Sequence, residues 1–130
     1  MTTPRELLEY LTENYSAFRE PMLLEIGIHT QIKSAVGDVF TEKVIRKVLG
    51  KYTNSAAYNS AVVQNLDWDL RRVNLDGSSG SLVSDASKRH HIGKFLRALE
   101  RKEKKEDVSH YAEWREQAIE WLAEQEAQEP

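Results

Sequence analysis

The residues of this chain that could carry catalysis do not combine into an enzyme motif. The sequence has no Cys, which excludes disulfides, cysteine-bound zinc and thiol nucleophiles. His90 and His91 are adjacent, so on a helix their side chains point about 100° apart and cannot chelate one ion as an i, i+4 pair would. The serines of residues 77–80 lie in a turn and do not match a nucleophile elbow. We therefore predict a non-enzymatic protein with no catalytic residue, metal site or cofactor.

More informative chemistry lies between residues 43 and 58, where a basic helix face precedes a second helix start. Cations on such a face attract the phosphates of a nucleic acid whatever its sequence. A helix start offers hydroxyl and backbone N–H groups to an anion. Two tyrosine rings add surfaces on which unpaired bases could stack. The same pattern also fits a solvated helix face beside two core tyrosines, and the residues alone leave both interpretations open. The candidate nucleic-acid-binding residues here are Lys43, Arg46, Lys47, Lys51, Tyr52, Thr53, Asn54, Ser55 and Tyr58.

The formal net charge of −3 hides an uneven distribution. Residues 1–102 hold 15 Lys and Arg against 12 Asp and Glu, a balance of +3. Residues 103–130 hold 3 against 9, a balance of −6. A mildly basic body therefore precedes an acidic tail, and a polyanionic partner is compatible with the body.

Helices with apolar stripes must position these residues. Thr3, Pro4 and Glu6 predict a capped first helix that runs to about residue 14 or 15. Apolar spacing predicts three further helices. One covers residues 28–36, one follows an N-cap at Thr41 and runs to about residue 51, and one begins at residue 56. A long helix follows a cap at Ser84 or Asp85, while residues 23–28 fit either an extended segment or the start of a helix.

A β-hairpin is predicted ahead of the long helix. Residues 65–71 indicate a loop, residues 72–75 a strand, and Asp76-Gly77 a tight turn. The turn is expected to continue through residue 81, with the returning strand at Leu82 and Val83.

The last segment carries aromatic residues at roughly helical spacing among acidic ones. Tyr111, Trp114 and Trp121 fit a terminal helix packed on the body, an extension of the long helix, or a segment that binds a protein partner. The pattern does not decide between these.

Taken in order, four segments resemble the ProQ/FinO family of bacterial RNA-binding proteins. They are residues 6–11, the run Leu24-Glu-Ile-Gly-Ile28, the run Tyr52-Thr-Asn-Ser-Ala-Ala-Tyr58 and the run Arg72-Val-Asn-Leu-Asp-Gly77. The last three are similar to the family's Leu-Lys-Ile-Gly-Ile, Tyr-Thr-x-Ser-x-x-Tyr and Arg-x-Asp-Leu-Asp-Gly. Each is weak alone, but together they cover roughly residues 5–105 in the family's order.

The resemblance implies an α+β, mainly α fold, with a compact helical domain, a small β-hairpin and a long C-terminal helix. It implies an RNA-binding domain over residues 1–105 and an acidic helical extension over residues 106–130. The implied function is that of an RNA chaperone in post-transcriptional regulation by small RNAs. Its ligand would be structured RNA, a hairpin with a single-stranded 3′ tail as in intrinsic terminators.

The resemblance also assigns roles by position. Tyr52, Thr53, Ser55 and Tyr58 match the residues around a pocket for the RNA 3′ end, and Asn54 lies among them. Arg46 and Arg72 match basic positions that contact RNA.

Three departures from the family pattern predict weaker or more selective RNA binding. Glu25 stands where Lys is common, and Gly50 and Ala57 occupy positions that are often basic. Each missing cation removes at most about one phosphate contact, roughly 0.7 to 0.9 of the logarithmic salt slope. The alternative is a protein-interaction module on the same scaffold, with Tyr111, Trp114 and Trp121 as partner surface and RNA binding weak or lost.

The start of the chain lacks the basic flank and apolar stretch of a signal peptide. No apolar run approaches the roughly 20 residues of a membrane span. The expected location is the cytoplasm.

Overall fold

The computed structural model describes residues 3–66 and 69–128. Within them the chain forms six α-helices and one two-stranded hairpin, which confirms the mainly helical α+β class. The helices are α1 (Pro4–Asn14), α2 (Ile28–Val36), α3 (Glu42–Thr53), α4 (Ala56–Val63), α5 (Asp85–Glu103) and α6 (Ala112–Gln128). The strands are β1 (Arg71–Val73) and β2 (Ser79–Leu82). None of the described helices combines the length and apolar character that a membrane crossing requires.

The predicted helix starts are confirmed by side-chain caps. In each of four helices a hydroxyl oxygen accepts a hydrogen bond from the backbone N–H three residues later, at 3.1–3.3 Å. Such a cap stabilises a helix by about 1 kcal/mol, which makes these boundaries legible from the sequence. The capping residues are Thr3, Thr41, Ser55 and Ser84.

The ambiguous run of residues 23–28 is first extended and then helical. Val73 N–H donates to the Leu23 carbonyl at 2.8 Å, and Glu25 N–H donates to the Val73 carbonyl at 2.9 Å, so this segment lies parallel to β1. Gly27 then adopts a left-handed backbone with φ of 85°, and α2 begins at Ile28. Both interpretations of this run therefore hold, at successive residues.

The hairpin differs from its prediction in length. The returning strand begins at Ser79, not at Leu82, and β1 ends at Val73. Asn74 N–H donates to the Ser78 carbonyl at 2.9 Å, which closes the turn early. The Glu25 carboxylate accepts hydrogen bonds from the backbone N–H and hydroxyl of Ser81 at 3.0 and 2.7 Å, which fixes a serine-rich run as a strand. The loop predicted over residues 65–71 is one residue too long, because β1 begins at Arg71. It contains Asp67 and Trp68, which lie outside the described residues.

The core lies between two packed groups of helices. In the first group, α1 and α2 each pack against α3; in the second, α4 runs along α5 and α6 packs on both. Helix α4 is enclosed on nearly every side, with Ala57 its single exposed residue. The fully buried large side chains at the centre include Leu7, Leu11, Ile32, Ile45, Val62, Ile92, Phe95 and Leu99.

The C-terminal segment is a terminal helix packed on the body. Tyr111, Trp114 and Trp121 are partly buried against the core, and the Tyr111 ring centroid lies 5.9 Å from that of Phe95. Ala118 is fully buried. Of the three placements left open by the sequence, the structure shows the terminal helix packed on the body, and these rings pack partly against the core.

Two glycines should respond in opposite directions to alanine. Gly27→Ala should lower the free energy of unfolding by about 1 kcal/mol, because its positive φ is strained for a residue with a Cβ. Gly50→Ala should raise it by about 0.5–1 kcal/mol, because Gly50 lies within α3 and an added Cβ meets no atom within 4 Å. Urea unfolding of both variants checks this, and shifts of the same sign would contradict it.

Candidate nucleic-acid interface

One exposed face of α3 concentrates positive charge. Ile45 and Val48 bury the opposite side of the helix. The four cations of this face, here called the α3 basic face, form none of the ion pairs seen among the described residues. Their charge is thus available to a polyanion. They are Lys43, Arg46, Lys47 and Lys51, all exposed.

Two clefts flank the α3 basic face. The cleft between α2 and α3 has a volume of about 210 Å³, and Arg46 lines it together with His29 and Lys33. Lys33 is already engaged there, since its ammonium donates to the carbonyls of Gly37 and Phe40 at 2.8 and 3.1 Å. The cleft between α1 and α3, here called the α1–α3 cleft, is larger at about 670 Å³.

The hydroxyl groups at the α3–α4 turn are not free, contrary to expectation. Thr53 Oγ1 donates to the Leu49 carbonyl at 2.7 Å, and Ser55 Oγ donates to the Tyr52 carbonyl at 2.7 Å. The Asn54 amide nitrogen donates to the Gly50 carbonyl at 2.7 Å. The two hydroxyl donors and one amide hydrogen of Asn54 therefore hold the turn, which leaves a ligand the oxygen lone pairs and the second Asn54 N–H.

Two backbone donors remain at the start of α4. The Tyr58 N–H is taken by the Ser55 hydroxyl at 3.1 Å. The N–H groups of Ala56 and Ala57 have no acceptor within residues 3–66 and 69–128. Because they stand at the positive end of a helix dipole, they can hold one phosphate or carboxylate oxygen.

The two tyrosines of the predicted pocket differ in exposure. The ring of Tyr58 is only 3% exposed, and its hydroxyl accepts a hydrogen bond from Leu24 N–H at 2.9 Å. The expectation that a base stacks on Tyr58 is wrong, because its ring is enclosed by the core. Tyr52 keeps part of its surface on the α1–α3 cleft, and burial raises its pKa to about 12. It therefore stays neutral.

Arg72 also lies beneath the surface. It is 9% exposed, and its Nη1 donates to the Leu24 carbonyl at 3.2 Å. Its charge reaches its neighbours. Burial raises the pKa of Tyr58 and the Arg72 charge partly opposes that rise, whereas at His91 burial lowers the pKa and the Arg72 charge adds to the effect. The expectation of Arg72 as an exposed phosphate contact is corrected accordingly, because the guanidinium is held within a buried polar cluster.

The sequence did not indicate two members of that cluster, Asn59 and His91. The Asn59 amide nitrogen donates to the carbonyls of Thr53 and Ser55, each at 2.9 Å. Its oxygen therefore faces His91 Nδ1, 2.8 Å away, and the neutral imidazole must carry its proton on Nδ1. Helical spacing with Phe95 was the available signal for burial of His91, whereas nothing local marks Asn59.

His91 stays uncharged in the folded protein at neutral pH. Burial lowers its pKa from 6.5 to about 4, with smaller contributions from the charges of Arg72, His90 and Lys94. Protonation would require a second charge inside the cluster that already holds the Arg72 guanidinium.

The buried imidazole makes stability depend on pH. Between the ordinary pKa of 6.5 and about 4, the unfolded chain binds a proton at His91 that the folded chain does not bind. The free energy of unfolding should therefore fall as pH falls through this window, by on the order of 2 kcal/mol. Urea unfolding at pH 7.5 and 4.5 checks this with His91→Gln, whose side chain does not titrate but can still donate to Asn59. Between these two pH values its free energy of unfolding should fall less than that of the wild type, by on the order of 2 kcal/mol.

The matched control is His90→Gln, which removes an exposed histidine next to it. It should follow the wild-type pH dependence. Parallel curves for the wild type and His91→Gln would contradict the buried neutral imidazole.

Comparison with known proteins identifies a family and two solved structures that this chain resembles. The model of the ProQ/FINO family matches residues 1–108. A crystal structure of a FinO-like RNA chaperone from Neisseria meningitidis superimposes with a TM-score of 0.63 at 16% identity, over 78% of this chain and 80% of that one. The solution structure of a ProQ homologue from Legionella pneumophila gives 0.55 at 20% identity, over 74% and 83%. At these identities the two structures establish the shared fold. A search of curated proteins returned no match.

Proposed function

The chain belongs to the ProQ/FINO family, and from that membership we propose that it binds structured RNA, specifically a hairpin with a single-stranded 3′ tail. The observation that carries the proposal is the α3 basic face, whose four exposed cations have no ion-pair partner among the described residues. It ends at the turn before α4, where the N–H groups of Ala56 and Ala57 have no acceptor among the described residues. RNA chaperones of this family are not enzymes, and no catalytic role is assigned to any residue.

The two parts of the site would divide the RNA between them. The α3 basic face holds phosphates of the hairpin stem, which it attracts without reading sequence. The N–H groups of Ala56 and Ala57 receive a phosphate near the 3′ end. The oxygen lone pairs of Thr53 and Ser55 accept hydrogen bonds from the terminal ribose, whose hydroxyl groups are donors as well as acceptors.

Tyr58 and Arg72 are buried residues next to this site. Both bind the backbone of Leu24, one through its hydroxyl and the other through its guanidinium. Tyr58 thereby ties the first turn of α4 to Leu24, and the positive charge of Arg72, held at the same residue, favours an anion nearby. The roles first assigned to them at the RNA surface thus become positioning roles.

The acidic tail leaves the α3 basic face open. Helix α6 packs on α4 and α5, and the four α3 cations remain exposed. We assign the RNA-binding domain to residues 1–105 and treat residues 106–130 as an acidic extension that does not take part in the RNA contact. Within bacterial regulation, such a protein would protect small RNAs that end in a terminator hairpin or assist their pairing.

Removing α3 cations should weaken RNA binding and its salt dependence together. For a terminator-like hairpin with a 3′ tail, Arg46→Ala combined with Lys47→Ala should reduce the slope of log affinity against log salt by about 1.4 to 1.8, the contribution of two phosphate contacts. Fluorescence anisotropy at two salt concentrations measures this. Removing the 3′ tail should also weaken binding by the wild type.

Lys105→Ala is the control, because it removes an exposed cation outside α3. It should leave the slope near that of the wild type. The proposal fails if the wild type shows no binding at low salt, or if the double variant keeps the full slope.

Restoring a cation at a departure from the family pattern should strengthen binding. Gly50 lies one turn after Arg46 on the exposed side of α3, with open space around its Cβ position. Gly50→Lys should increase affinity and add roughly 0.7 to 0.9 to the salt slope in the same assay. Gly50→Ala separates charge from helix stabilisation, and an equal gain from both variants would argue against a phosphate contact.

A further inference from the structure

The α1–α3 cleft is large enough to hold a ligand that the α3 basic face alone does not account for. Its volume of about 670 Å³ falls within the 300–1,000 Å³ that is usual for small-ligand sites. Apolar surface of Leu8, Val48 and Tyr52 lines it, and Lys47 and Lys51 border it. Helix α1, which contributes Leu8, has no part in the RNA site described so far.

The charge of the lining selects an anion. Arg5 joins Lys47 and Lys51, and no carboxylate lines the cleft, although the chain as a whole has a net charge of −3. The two lysines make no ion pair with any described residue. Arg5 contacts Glu9 at 3.2 Å in a highly exposed pair, which holds its guanidinium only weakly.

The apolar part of the lining favours contact with an uncharged group such as a nucleotide base. Leu8 is 38% exposed and contributes apolar surface to the cleft. The Tyr52 ring is fixed between Phe18 and Tyr58, each with its ring centroid 5.2 Å away. The Tyr52 hydroxyl makes no hydrogen bond within the described ranges, so it can serve a ligand.

We infer that the α1–α3 cleft receives one unpaired nucleotide of the bound RNA, with its base against Leu8 and Tyr52 and its phosphate between Lys47 and Lys51. The inference rests on the proposed function, because the cations are shared with the α3 basic face. Ser55 lines the cleft and also caps α4, so the cleft adjoins the α4 start, where the 3′ end is proposed to bind. The base contact adds selectivity for unpaired RNA that phosphate contacts do not provide.

An abasic scan of the 3′ tail tests this. Replacing the tail nucleotides one at a time with abasic residues should lower the affinity of the wild type about tenfold at one position, the effect of losing one stacked base. Leu8→Gln removes the apolar surface at an exposed helical position, so the fold should persist. This variant should bind the intact tailed hairpin more weakly and lose most of its sensitivity at that one position.

Ile119→Gln is the matched control, since Ile119 is an exposed apolar residue of α6, 54% exposed. It should keep the wild-type abasic profile. If no position of the tail is sensitive in the wild type, or if Leu8→Gln keeps the full profile, the inference is overturned while the RNA-binding proposal stands.

A second measurement does not depend on the hairpin. Titration of the full chain with uridine monophosphate, followed by NMR, should shift the Leu8 methyl and Tyr52 ring signals and leave the Ile119 methyl signals in place. Shifts without any hairpin binding would support the nucleotide site and refute the proposed function. Absence of shifts, or equal shifts with inorganic phosphate alone, would overturn the assignment of a base to the cleft.

Discussion

The geometry of the candidate site depends on the fully buried side chain of Asn59. Its amide nitrogen ties the carbonyls of Thr53 and Ser55, and its oxygen accepts from His91 on α5. Loss of this side chain would leave the Thr53 carbonyl and His91 Nδ1 without partners, at about 1–3 kcal/mol each, while the Ser55 carbonyl keeps the Asn59 backbone N–H. These bonds set the angle at which α3 ends and α4 begins, so they also set where the α3 cations stand relative to the Ala56 and Ala57 donors.

A second junction forms at the backbone of Leu24. Its N–H donates to the Tyr58 hydroxyl and its carbonyl accepts from Arg72. The adjoining residues Leu23 and Glu25 bond to Val73 of the hairpin. One short extended segment thus connects α4, β1 and the approach to α2, and the motif residues Tyr58 and Arg72 are needed there for packing before any RNA arrives.

Local features were predictable from the sequence and long-range ones were not. Thr3, Thr41, Ser55 and Ser84 mark helix starts because each bonds a neighbour three residues on. The burial of Tyr58, Arg72 and His91 rests on bonds to partners 34, 48 and 32 residues away, which no window of sequence contains. Spacing correctly indicated that the α3 cations are exposed, because the period of a single helix determines which face each side chain occupies. It left three placements open for the last helix, since periodicity shows which face is apolar but not what the face covers.

Under the proposed function, the enclosure of α4 has a consequence for how the chain would discriminate among RNAs. Because all residues of α4 except Ala57 are buried, its first turn cannot reorient, and binding there incurs almost no conformational entropy loss on the protein side. The ordering cost then falls on the RNA. Transcripts whose 3′ ends are already single-stranded would dock with little penalty, whereas ends folded into competing base pairs must first melt. A rigid receptor of this kind would sort RNAs by the folding equilibrium of their own termini.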